Sequence, residues 1–386
     1  MILMKGLRFL YCMYADRPVE NFFKKKTNKK VLISYITRPF RGENKTKTHT
    51  NSFEVMAAAK VFNELGYRVD VMHYLNPPSN LKKYDVIYGF GDVFQNYFES
   101  GLTGKKTIYY GAGMHVSHQN TASLNRVKDI YEKKGVWLAK SARFVEKTWS
   151  HQTCLVDSII ALGDHECKNT YKKYYKGPIY TLPAPFYQVL DANDISRKRD
   201  RTKSKNFLWF GSSGLVHKGL DLCLEYFSTR LDLTLHVCGS IFSEPDFMKL
   251  YDKELFKSPN IVVHGFVDIQ SNQFKEIIGS CTFIIYPSCS EGGAPSVLTA
   301  IGNGALIPIV SHESSVSTGY EIFIESLDFL GIEKAIFEAE NYSYDELSVM
   351  AEENLRVVLT NNSQDAYYSN LKEIISRIIS DEVQNM

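Results

Sequence analysis

No stretch of this 386-residue chain approaches the roughly 20 consecutive apolar residues that a membrane-spanning helix needs. The opening Met1-Ile2-Leu3-Met4-Lys5-Gly6 is too short an apolar run for a secretory signal. Cysteine pairing is missing too. The seven cysteines (Cys12, Cys154, Cys167, Cys223, Cys238, Cys281 and Cys289) contain no C-x-x-C spacing and are odd in number. Reduced thiols in a cytoplasmic protein are therefore expected, not a disulfide framework. A formal net charge of +2 gives no whole-molecule field, and no nucleic-acid partner is expected. There is no D-x-D run, no His/Cys ligand cluster and no low-complexity or short-period repeat.

What remains is an ordinary globular balance, 44% hydrophobic against 23% charged, in a chain long enough for two domains. An apolar strand at 31–36 leads through a polar loop at 41–46 into an amphipathic helix near 51–65, capped by Thr50 or Asn51 and closed by Gly66. Strands at 67–72, 84–88, 107–110 and 158–162 follow. A polar, basic stretch at 191–205 has no apolar period and reads as a linker. The rhythm then restarts, with strands at 207–210, 233–237, 261–263, 282–286 and 306–310. Helices fall at 218–227, 272–278, within 287–301, and at 344–359 and 366–379. Short apolar strands alternating with helices indicate parallel sheets covered on both faces, hence two doubly wound α/β domains. Such sheets take ligands at the carboxyl ends of their strands.

Three features of the second half lie at those ends. The turn Gly211-Ser212-Ser213-Gly214, followed by Lys218-Gly219, offers close backbone approach, a helix start and a point charge for a phosphate. It can equally be a plain βα turn with a solvated lysine. The loop Glu291-Gly292-Gly293-Ala294-Pro295 opens a helix whose first amides, at Ser296 and Val297, would face the strand ends. There Glu291 can accept from sugar hydroxyls, or simply sit near a helix dipole. Finally, the strand and turn through Gly265 and Phe266 present backbone to a nucleobase edge, or form an ordinary strand exit.

From Phe207 to about Val310 the sequence resembles the retaining nucleotide-sugar glycosyltransferases known as glycosyl transferases group 1, which have the GT-B fold. Lys218-Gly219 matches their Lys-Gly pair, Gly265 their base turn, and Glu291-Gly292 the start of their Glu-x7-Glu motif. The resemblance implies two Rossmann-like domains facing across a cleft: an acceptor-side domain at 1–195 and a donor domain at 206–365, with 366–386 packing back on the first. It implies that Lys218 neutralises the donor diphosphate, that Glu291 contacts the transferred sugar, and that no metal or resident cofactor is needed. The nucleoside diphosphate sugar itself is the co-substrate. Two positions depart from the pattern. Ser213 (Ser212 if the turn shifts by one) stands where a diphosphate-binding arginine is usual, and Thr299 stands where a ribose-binding glutamate is usual. A lost charge-assisted contact is worth about 1.5–3 kcal/mol.

By the same resemblance the first half receives a glycan or lipid-linked acceptor, in the setting of cell-surface polysaccharide synthesis. His115, in the loop Gly111-Ala112-Gly113-Met114-His115, is the expected catalytic histidine of the cleft, with His118 second and a structural, backbone-satisfied histidine as the competing reading. Arg41, Gly42, Thr48 and His49 are further cleft candidates by position alone. The run Lys24–Lys30 beside Phe22 and Phe23 can rest on the inner face of an anionic membrane or be a solvated face. The alternative to catalysis is a non-catalytic GT-B relative that binds a glycan or a partner enzyme.

Overall fold

The computed structural model describes residues 16–42, 49–76, 80–138, 141–191, 195 and 205–380. Cys12, Thr48, most of the expected linker and residues 381–386 lie outside these. Twelve strands form two six-stranded sheets. The first contains β1 (Lys30–Tyr35), β2 (Arg68–His73), β3 (Val86–Gly89), β4 (Lys106–Gly111), β5 (Ser158–Leu162) and β6 (Ile179–Leu182), in the order β2-β1-β3-β4-β5-β6. The second contains β7 (Asn206–Gly211), β8 (Thr234–Gly239), β9 (Ile261–Gly265), β10 (Phe283–Tyr286), β11 (Ile307–Ser311) and β12 (Ile322–Ile324), in the order β12-β11-β10-β7-β8-β9. Neighbours in both sheets pair in parallel. The strands are apolar because helices cover both faces, so both side-chain sets are buried: β5 and β10 are buried throughout.

Strand order reverses once in each sheet, between β1 and β3 and between β7 and β10. A crevice opens outside the carboxyl ends at such a reversal, because the flanking connections leave on opposite faces. Both reversals bear on the site described below.

Several elements escaped the sequence pattern. β6 is half-exposed, and β12 has only three residues. The helix Asp92–Glu99 lacks a side-chain cap, and the helix Phe329–Asn341 carries Asp328 as its cap. Thr50 does not cap the helix Asn51–Glu64; its hydroxyl donates instead to Glu54 Oε1 at 2.7 Å.

The two halves are joined by buried polar contacts. Asn303 Oδ1 accepts from the amides of Val189 (2.6 Å) and Leu190 (3.0 Å), and its Nδ2 donates to Tyr187 O at 2.8 Å. The last helix, Gln364–Ser380, packs on the helix Asn51–Glu64, and its Tyr367 hydroxyl meets that of Tyr110 at 3.0 Å. Between the helices Val116–Lys134 and Leu220–Phe227, Arg126 Nη2 bonds Asp221 Oδ2 at 2.5 Å, with both side chains buried. Arg126 Nε and Asp221 Oδ1 find no partner among the described residues. Removing one member of such a pair strands an unpaired charge, whereas apolar replacement of both removes the desolvation cost. Arg126→Met is accordingly expected to lower stability by about 3–5 kcal/mol, and adding Asp221→Leu to recover most of it. Urea unfolding of both variants checks this; a double variant no more stable than the single would overturn the assignment.

Candidate functional site

β7 ends at Gly211, and the chain then turns through Lys218-Gly219 into the helix Leu220–Phe227. Gly219 adopts φ +68°, and a Cβ there would lie 2.2 Å from Pro287 O. Only glycine lets the turn lie this close to the exit of β10, and the close approach delivers Lys218 to the β7–β10 reversal. The indole Nε1–H of Trp209 pins the turn by donating to Lys218 O at 3.1 Å.

At this point the Lys218 ammonium is buried. It donates to Tyr286 Oη at 2.8 Å and pairs with Glu291 Oε1. The same Oε1 accepts from Tyr286 Oη and Ser288 Oγ, each at 3.2 Å, and lies 3.9 Å from Arg143 Nη1. The amide of Glu291 donates to Glu313 O at 2.8 Å, which fixes the loop. Burial works to raise the Glu291 pKa, but Lys218 and then Arg143 outweigh it and hold the carboxyl at about 2. Burial also pulls the Lys218 pKa down, against the pull of Glu291. The contacts made to Glu291 by described residues fall on Oε1, which leaves Oε2 for a ligand hydroxyl.

These groups border a cavity of about 210 Å³, open to solvent, between the ends of the two sheets. Of the residues expected from sequence, Lys218, Glu291, Gly211, Ser212, Phe266, Gly292, Ser296 and Thr299 line it. Ser296 lies beside the Tyr286 hydroxyl, and Thr299 Oγ1 donates to Pro295 O at 2.7 Å. Gly265, at φ +69°, turns the chain so that Phe266 reaches the cavity. Gly292 meets the first half directly, since a Cβ there would lie 2.8 Å from Ala112 O.

Other expectations require correction. The amides of the Gly211–Gly214 turn are not all free: Gly214 N donates to Glu244 Oε1 at 2.5 Å, and Leu215 N reaches both Glu244 oxygens at 3.3 Å. An internal carboxylate, itself held by Ser141 Oγ at 2.7 Å, occupies that nest, and neither Ser213 nor Gly214 lines the cavity. Val297 is buried in the core, with its amide bonded to Ala294 O at 2.9 Å, and Gly293 packs against Ala184. His115 faces away from the cavity. It caps the helix Val116–Lys134 by accepting from Ser117 N, bonds Thr153 Oγ1 at 2.9 Å and stacks on Tyr174. Its loop does reach the cavity, through Ala112, but His118, Arg41 and Gly42 do not. His49 does.

The most informative residue that sequence reasoning missed is Arg143. It lies in an irregular segment of the first half, lines the cavity beside Lys218 and Glu291, and passes over Gly214, where a Cβ would lie 2.8 Å from its Cδ. A cation thus stands near the turn where Ser213 replaces the usual arginine, supplied by the opposite domain. Among the described residues no three His, Cys, Asp or Glu side chains converge as metal ligands, and no helix is long and apolar enough to cross a membrane.

No protein-family model matches the chain, and no curated protein sequence does. Solved structures match its fold. A glycosyltransferase from Rickettsia africae aligns over 92% of this chain and 99% of its own, with a TM-score of 0.55 and 12% identity. Anabaena HepE, in complex with UDP and glucose, aligns over 90% and 100%, with a TM-score of 0.56 and 12% identity. The trehalose-6-phosphate synthase OtsA aligns over 91% and 98%, with a TM-score of 0.57 and 10% identity. With its two parallel, doubly wound sheets, the chain has the GT-B fold.

Two buried histidines make the fold sensitive to acid. Burial holds His217 at about 3 and His115 at about 4, so both stay neutral in the folded protein. The unfolded chain takes up a proton on each as pH falls through about 6.5. Each therefore lowers stability by up to about 1.4 kcal/mol per pH unit from about pH 6.5 until its folded pKa is reached. Urea unfolding across that window is expected to show this slope, reduced in His115→Asn, which keeps a helix-capping acceptor. A slope identical in the variant would refute the assignment.

Proposed function

We propose that this chain is a glycosyltransferase that moves a sugar from a nucleoside diphosphate sugar to a hydroxyl of a glycan or lipid-linked acceptor. The observation that carries the proposal is the convergence of Lys218, Arg143 and Glu291 in one cavity at the β7–β10 reversal. Breaking the bond between the sugar and the diphosphate loads negative charge on the leaving phosphate. Lys218 and Arg143 stand ready to neutralise it, and fixed cations in a partly dry cavity do so without reorganising at the moment of reaction. Glu291 Oε2 accepts a hydroxyl of the transferred sugar. The nucleobase lies along the Gly265–Phe266 turn. Thr299 takes a ribose hydroxyl as an acceptor, its own proton being committed to Pro295 O.

Retention of configuration, freedom from metal and a role in cell-surface polysaccharide assembly belong to the same proposal, supported by the Lys-Gly and Glu-Gly motifs. On the retaining path a phosphate oxygen on the departing face takes the acceptor proton, so the acceptor enters on the face the diphosphate leaves. The structural likeness to a protein holding UDP and glucose supports a donor of this class. The exposed Phe22, Lys24 and Lys26 suit contact with an anionic leaflet, where a lipid-linked acceptor would lie.

Calorimetric titration with UDP, GDP and ADP, with CMP as control, tests the donor site. One diphosphate is expected to bind at micromolar Kd, with binding weakened about 10- to 100-fold in Lys218→Ala and about 10-fold in Arg143→Met. Arg143 is half-exposed, so its replacement leaves the core untouched and the comparison interpretable if Lys218→Ala misfolds. Absence of binding by any diphosphate would discard the enzyme reading in favour of a non-catalytic relative, a reading that the carboxylate of Glu244 on the turn amides would then favour.

A further inference from the structure

The first domain contributes its own wall to the cavity: Tyr35 at the end of β1, His49, Thr50, Glu54 and Tyr187. Glu54 is only 3% exposed, yet it borders the cavity and has no lysine or arginine within ion-pair distance among the described residues. That is unusual, because buried carboxylates ordinarily pair with a cation. Neutral hydroxyls hold it instead. Oε2 accepts from Tyr35 and Tyr110, each at 2.9 Å, and Oε1 accepts from Thr50 at 2.7 Å. The Tyr110–Tyr367 bond braces this arrangement from the last helix. Each carboxylate oxygen can accept about two hydrogen bonds, so Oε1 retains one for a ligand.

The charge on this wall is not cancelled locally. Lys218 and Arg143 are the only lysine or arginine lining the cavity among the described residues, and both stand beside Glu291. A bound diphosphate would consume them. His49 is exposed at the cavity mouth; desolvation there, with Arg143 and Lys218, lowers its pKa against Glu54 and Glu291 and favours the neutral ring. A second ligand reaching this wall meets the Glu54 carboxyl, hydroxyls and tyrosine rings, with no lysine or arginine among them.

We propose that the wall of Tyr35, His49, Thr50, Glu54 and Tyr187 is a subsite for an uncharged sugar ring, which donates a hydroxyl to Glu54, and that it disfavours rings bearing phosphate or carboxylate. Naming that ring as the acceptor rests on the transferase reading; the selectivity itself does not. A lipid-linked glycan fits when its terminal residue is neutral and its phosphate lies outside the cavity.

The test is saturation-transfer NMR on the full chain, with and without UDP. The probes are methyl α-glucopyranoside and methyl β-galactopyranoside against glucose 6-phosphate and glucuronate. At least one neutral glycoside is expected to bind, with the anionic sugars about ten-fold weaker or worse, and Glu54→Gln is expected to shrink that ratio to about three-fold or less. The proposal is overturned if an anionic sugar binds the native, UDP-loaded protein as well as the neutral ones. It is equally overturned if no neutral glycoside binds in either condition, or if a folded Glu54→Gln leaves the ratio unchanged. The native comparison needs no variant. Failure of UDP to bind would count against the donor reading alone, because the change in ratio from native protein to Glu54→Gln, with Lys218 and Arg143 present in both, still reports on Glu54.

Discussion

The buried pairing of Lys218 with Glu291 is the constraint around which the donor half is arranged. Taking two charges out of water costs several kcal/mol per ion, and the attraction between them offsets this only when the remaining hydrogen-bonding capacity is filled. Tyr286 and Ser288 fill much of it here. These groups lie at the end of β10 or on the two connections that leave β7 and β10, and the strand order makes β7 and β10 neighbours. The reversal of strand order therefore does chemical work. It brings a lysine from one connection and a glutamate from another within contact, 73 residues apart in sequence. Glu291 opposes the effect of burial on Lys218 and holds it in place, which on the proposed reading is the preorganisation that electrostatic stabilisation requires.

The second constraint is how closely the halves approach. Gly292 lies against Ala112, Gly293 against Ala184 and Gly302 against the ring of Phe186, each at distances that a Cβ would violate. Asn303 ties the chain entering the linker to the donor domain, and the amide of Phe186 donates to Asn362 O at 3.2 Å. Small residues and backbone bonds thus bring the first domain near enough for Arg143 to reach the donor side. Its path over Gly214 depends on the missing side chain there.

Much of the fold was legible because parallel strands covered on both faces are short apolar runs, and ten of the twelve were found that way. β6 and β12 were hidden by partial exposure and brevity. At the site, Lys218 and Glu291 could be read because a glycine follows each at a strand exit, a pattern that backbone geometry imposes. Arg143 and Glu54 could not. Arg143 belongs to a stretch without period, and Glu54 looks like any first-turn glutamate of an amphipathic helix until Tyr35, Tyr110 and Tyr367 are folded around it. His115 misled for a local reason. A histidine just before a helix is also placed to cap it, and burial against Tyr174 made capping the outcome. The turn at Gly214 misled for a long-range one, since nothing near it in sequence announces the carboxylate of Glu244.

On the proposed reading, a cation that neutralises the donor diphosphate comes from the first domain and not from the β7 turn, which changes what ligand binding means. An arginine within the β7 turn would be present whether or not the domains were apposed. Arg143 is present only when they are, so each increment of affinity that it supplies is also free energy favouring apposition, by the reciprocity that governs coupled equilibria. The same apposition brings the Glu54 wall into the cavity that holds Lys218 and Glu291. On the proposed reading, a donor that engages Arg143 thereby also stabilises the placement of that wall. The serine at 213 then has its counterpart across the interface in Arg143, which passes over the same turn.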